Sequence, residues 1–128
     1  MRAVDLGAAT VGLLAARLCL RAAPGPAIKW ATEHVAESPS AGTPDAITRA
    51  VLSVGARMRA SCLDQGLAVV MLLTIARIPS RLVIGVSRPG SAFAAHAWVE
   101  CRGRIIVGAG QAADFVPLPP ASASPCRG

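Results

Sequence analysis

Val11, Leu14 and Leu18 recur at helical spacing inside a weakly apolar run, with Arg17 and Arg21 one turn apart on a different face. This pattern predicts a helix over about 4–22, docked on the domain or on a partner. Pro24, Gly25 and Pro26 end it, and a second punctuated stretch over 38–44 closes off the segment that carries Lys29, Trp30 and His34. Trp30 reads as a core anchor. His34 has no cysteine or carboxylate at motif spacing and reads as a surface or capped histidine. Thr43-Pro44-Asp45 then has the form of a helix start, with Thr43 as N-cap, Pro44 in the first turn and Asp45 favourable against the dipole. Ile47, Val51, Val54 and Met58 share one face of that helix, which is expected to end at Arg57 or Met58 and to pack by this stripe.

A second helix start follows at Ser61-Cys62-Leu63-Asp64. Ser61 and Asp64 stand three apart, the spacing of a capping box, and Cys62 falls at the first helical position. Over 63–76 the sequence is apolar almost all round, which predicts a central, buried helix stopped by Pro79. The period then changes to two: Leu82, Ile84 and Val86 alternate over 81–87, and strands over 94–101 and 104–107 flank Arg102-Gly103, a tight hairpin turn. On the first arm His96, Trp98 and Glu100 share a face, while Cys101 has the opposite parity and belongs to the core. Helix and antiparallel sheet together make an α+β domain with extra N-terminal helices.

Cys62 and His96 are a candidate nucleophile and base. The positive end of a helix and the N–H groups of its first turn favour a negative sulfur, and the N–H of Cys62 itself is placed to hold a developing oxyanion. A cysteine at a helix start is otherwise most simply a small apolar residue; the histidine on the following strand gives the position its chemical meaning.

Composition narrows the field. At 128 residues the chain is one domain, too short for a catalytic domain plus a separate recognition domain, so recognition is expected from a partner. The hydrophobic fraction is 53%, much of it alanine, and mean hydropathy is +0.52, enough to leave an exposed apolar contact surface. The net charge of +6 comes from scattered arginines with few aromatics, which excludes a nucleic-acid stripe and suits an acidic partner or peptide. Cys19, Cys62, Cys101 and Cys126 lie far apart, with neither disulfide-scaffold nor zinc-ligand spacing, so reduced thiols in a cytoplasm are expected, with no metal and no cofactor. The leading Asp5 and the shortness of the apolar run exclude a secretory signal and a membrane span. The expected organisation is an N-terminal helical segment over 1–45, a catalytic core over 46–118 and a disordered Pro/Ala/Ser tail over 119–128 that carries Cys126.

Four segments taken together carry a resemblance: Ser61-Cys62-Leu63-Asp64-Gln65-Gly66-Leu67-Ala68, Ile78-Pro79-Ser80-Arg81-Leu82-Val83-Ile84-Gly85-Val86, Ala95-His96-Ala97-Trp98-Val99-Glu100 and Phe115-Val116-Pro117-Leu118. Over about 51–118 the chain resembles the lasso-peptide leader peptidases, which are transglutaminase-like cysteine proteases with a papain-like core. The resemblance implies removal of the leader from a ribosomally made precursor, with Cys62 as nucleophile and His96 as base. It also implies two partners, a separate leader-binding (RiPP recognition) protein and an ATP-dependent macrolactam synthetase. Many family members carry a carboxylate about a dozen residues past the histidine. Here that place falls in Val107-Gly108-Ala109-Gly110, which has no acid, and folding the hairpin at Arg102-Gly103 sets His96 opposite about Ala109. Asp114 is the acid that reaches the histidine if the chain bends back; Gln111 or a backbone carbonyl are the other candidates to orient the ring. Two further classes fit the same sequence: a catalytically weak scaffold that binds leader and synthetase, and another Cys-His acyl-transfer enzyme acting on an amine acceptor.

Overall fold

The structure, a computed structural model, describes residues 3–33, 43–87, 95–108 and 115–117. Four helices precede a sheet: α1 (Ala3–Ala22), α2 (Pro24–Glu33), α3 (Asp45–Met58), α4 (Cys62–Ile75), then β1 (Arg81–Ser87), β2 (Ala95–Cys101), β3 (Arg104–Val107) and β4 (Phe115–Pro117). The strands are antiparallel in the order β3-β2-β1-β4. The expected α+β architecture is therefore present, with the Cys62 helix packed on the sheet that carries His96.

The first helix docks by a face other than the one bearing Val11, Leu14 and Leu18. Ala9, Leu13 and Ala16 are fully buried, whereas Val11, Leu14 and Leu18 are exposed, Leu18 by 67%. Small residues explain the choice, because they let two helices approach closely. A Cβ built on Gly12 would lie 3.0 Å from Leu72 of α4. At its end, Ala23 N–H donates to the Cys19 carbonyl at 2.8 Å, and Pro24 opens α2 at the position where a missing N–H is harmless. Trp30, expected in the core, is 40% exposed and lines an apolar groove with Leu18, Cys19, Leu67 and Met71; Ala31 is the buried residue of α2.

Pro44, not Thr43, is the N-cap of α3, with φ −83° and ψ −4° and no side-chain cap bond. The chain reaches helical dihedrals one residue later than Thr43, at a residue without a side-chain acceptor. The expected stripe does pack: Val51 is buried, and Ile47, Val54 and Met58 lie against the core. Arg59 ends the helix in the left-handed region (φ 54°, ψ 42°), and Ala60 N–H closes back on the Gly55 carbonyl at 2.9 Å.

Gly66, Leu67, Ala68, Val69, Val70 and Leu73 bury the middle of α4, while its last residue, Ile75, is 80% exposed. Gly66 is the contact point with the sheet, for a Cβ there would come within 2.7 Å of Leu82 Cδ1 and 3.6 Å of Val99 Cγ2. Leu82 and Val99 are cross-strand partners. The sheet face bearing Leu82, Ala97, Val99 and Cys101 thus closes the main core, and Val83 and Trp98 are buried outside that core cluster, on the opposite face. The β2–β3 turn has positive φ at both Arg102 (51°) and Gly103 (82°), as a two-residue hairpin demands. The sequence pattern did not reveal β4, which is only three residues long and ends on a proline tolerated at a sheet edge.

Candidate active site

The helix start at Cys62 is held from three directions. Ser61, extended at φ −71° and ψ 167°, accepts a bond from Asp64 N–H through Oγ (3.1 Å), and its own N–H donates to Asp64 Oδ2 (3.2 Å). Both halves of the expected capping box are present. The same carboxylate oxygen meets Arg17 Nε of α1 at 3.4 Å, and Arg17 Nη2 donates to the Met58 carbonyl at 3.2 Å. Gln65 Nε2 adds a bond to the Ala60 carbonyl at 2.9 Å. The turn between α3 and α4 is therefore anchored by charge-assisted contacts, and the half-buried, reduced Cys62 stands at its exit with its side chain against the core. Arg17 is the residue that sequence reasoning missed. Nothing in its local pattern ties it to a segment so distant along the chain.

His96 is half-buried on β2, cross-strand from Gly85. Gly108, at φ +85°, lies beside the ring: a Cβ there would be 3.1 Å from His96 Nε2 and 3.0 Å from Trp98 Cβ. The imidazole thus has glycines at both flanking positions, with the Trp98 ring 6.3 Å away at 30°. The simple hairpin count placed Ala109 opposite His96. A β-bulge overturns that count, because Cys101 pairs with Arg104 and Glu100 with Ile105 but Val99 pairs with Val107, leaving Ile106 as the extra residue. Trp98, only 2% exposed, has an indole N–H without a hydrogen-bond partner among the described residues.

Gly66, one turn from Cys62, packs on the cross-strand pair Leu82 and Val99, which seats the first half of α4 on the sheet. The end of α4 connects through five residues to Arg81, which pairs with Glu100 near the end of β2. Cys62 thus stands on a helix that packs on β2, and His96 stands on β2 itself. They do not share a sheet face: Val99 points at α4, and His96, three positions earlier, points away. Asp114 and Gln111, the candidate orienters, lie outside the described residues, as do His34 and Cys126.

Cys101 is buried in the core face as its parity predicted. Burial raises its thiol above the ordinary value of 9.0; Arg102 and Arg104 act against that rise and Asp45 adds to it. Among the described residues no cluster of three or more His, Cys, Asp or Glu side chains is placed to hold a metal ion, and no helix is long and apolar enough to cross a membrane.

A family model described as the transglutaminase-like superfamily matches residues 2–119. Comparison with curated proteins and with solved structures gave no significant match.

Proposed function

This chain belongs to the transglutaminase-like superfamily, and from that premise we propose that it is a cysteine peptidase that removes the leader from a ribosomally made lasso-peptide precursor. Cys62 is the nucleophile and His96 the base. The observation that supports this reading is the capped start of α4, which sets a half-buried thiol among first-turn N–H groups on the helix that packs against the strand bearing the imidazole. In the reaction His96 takes the thiol proton, and the sulfur attacks the scissile carbonyl while backbone N–H groups of the first turn hold the oxyanion. His96 then returns the proton to the departing amine, and water hydrolyses the thioester. Asp114 orients the imidazole in this scheme. The partners are a leader-binding protein and a macrolactam synthetase that joins the released amine to an acidic side chain, and the setting is the cytoplasm.

The test is to incubate the chain with the precursor and the leader-binding protein and to follow leader release by mass spectrometry. Cleavage by the wild-type chain and none by a folded Cys62→Ala chain is the expected result. A small residue at that first-turn position costs little stability, so the loss reports on chemistry. Cleavage retained in Cys62→Ala would overturn the assignment, and no cleavage by wild type with all partners present would favour a binding scaffold.

A further inference from the structure

A cleft of about 400 Å³ opens between α3 and β3, away from Cys62 and His96. Its α3 wall is one helical face, Asp45, Thr48, Arg49 and Leu52; its floor is Arg104, Ile105 and Ile106. Three features there lack an internal explanation. Thr48 is 7% exposed, and its Oγ1 has no hydrogen-bond partner among the described residues, a cost normally avoided in a folded interior. Arg49 and Arg104 both face the space without an ion pair among the described residues, although Asp45 stands one turn from Arg49. The start of α3 has no side-chain cap, and its first α-helical bond is made by Thr48 N–H to the Pro44 carbonyl, so the first-turn N–H groups precede it at the positive end of a 14-residue helix.

We propose that this cleft binds an extended peptide segment that carries a carboxylate side chain between apolar ones. Two guanidiniums against one carboxylate leave a single positive charge, which matches one carboxylate rather than a dianion. The Thr48 hydroxyl and the helix start supply hydrogen bonds to it. Leu52 and Ile105 are among the few large apolar residues left exposed, and both line this cleft, where they meet the apolar neighbours of the acid. β3 is an edge strand of the described sheet, so its outer backbone groups are available to pair with an extended chain. The site needs nothing from Cys62, so its fate is separate from that of the peptidase reading.

The experiment is calorimetric titration of the full chain with the capped peptide Val-Val-Glu-Val-Val and its Lys counterpart. The Glu probe is expected to bind at least about tenfold tighter than the Lys probe, and Arg49→Gln with Arg104→Gln to erase about tenfold of that affinity. Arg21→Gln with Arg57→Gln, also exposed but off the cleft, should leave it within about twofold, since only screened long-range attraction is lost. Thr48→Val should weaken the Glu probe about fivefold without lowering Tm, because the hydroxyl bonds to the ligand and not to the fold. Equal affinity for the two probes, equal losses from the two arginine pairs, or an unchanged Kd in a folded Thr48→Val chain would each overturn the proposal.

Discussion

Asp64 does more than its neighbours at the candidate site, since one carboxylate oxygen takes both the Ser61 N–H and the Arg17 guanidinium. Losing the Ser61 hydroxyl removes half of the capping box, so Ser61→Ala should lower stability by about 1 kcal/mol in urea unfolding. Asp64→Ala removes the return bond and leaves Arg17 with the Met58 carbonyl but without its carboxylate, and should cost more than Ser61→Ala in the same assay. A smaller loss would mean that Arg17 contributes nothing at this turn. Cys101 gives the pH-dependent counterpart. Its folded thiol is raised by burial, so the unfolded chain ionises first; stability is intact below the ordinary value of 9.0 and falls as pH rises past it toward the raised value. Unfolding free energy measured from pH 7 to 10 should decline above 9 in the wild type and decline less in Cys101→Ala. Beside His96, Gly108 accepts a positive φ and leaves the space the ring occupies. Gly108→Ala should therefore displace the imidazole and reduce leader cleavage well beyond its effect on Tm, with unchanged cleavage as the contrary result. The capping box was legible in the sequence because it is local. The adjacency of Gly108 to His96 was not, because a bulge is set by pairing between strands.

At the scale of elements the same division holds. The period-two runs at 81–87 and 104–107 and the start at Cys62 lie where the pattern put them, since alternation, a hairpin turn and a cap are each written in a few consecutive residues. The docking face of α1 was not legible for the opposite reason. Large side chains look like core, but Ala9, Gly12, Leu13 and Ala16 give α4 a closer approach than Val11, Leu14 and Leu18 would allow. Thr43 failed as a cap by one residue, and β4 exists only through its pairing with β1. The two neighbours Leu13 and Leu14 make the face a measurable quantity. Leu13→Ala removes a fully buried side chain and should cost about 2 to 5 kcal/mol, whereas Leu14→Ala, on the exposed side, should change stability by no more than about 0.5 kcal/mol. Equal effects in urea titrations would place the interface elsewhere.

For the whole molecule the question is whether the N-terminal helices form a separate unit before the core or fold with it. Leu13 of α1, Val51 of α3, Leu73 of α4 and Val99 of β2 belong to one buried cluster, and Arg17 ties α1 to the turn that presents Cys62. A helix sharing its core with three other elements cannot melt without exposing them, so unfolding should be a single cooperative transition. The two tryptophans allow the test, because Trp98 is buried on the far face of the sheet and Trp30 lies in the groove beside α1. In a Trp30→Phe chain, fluorescence reports on Trp98 alone while far-UV circular dichroism is dominated by the helices. The two urea curves should superimpose, and Leu13→Ala should shift both midpoints equally. Helix loss at lower urea than the Trp98 change, widened further by Leu13→Ala, would show instead that α1 unfolds on its own and that the sheet with His96 stands without it.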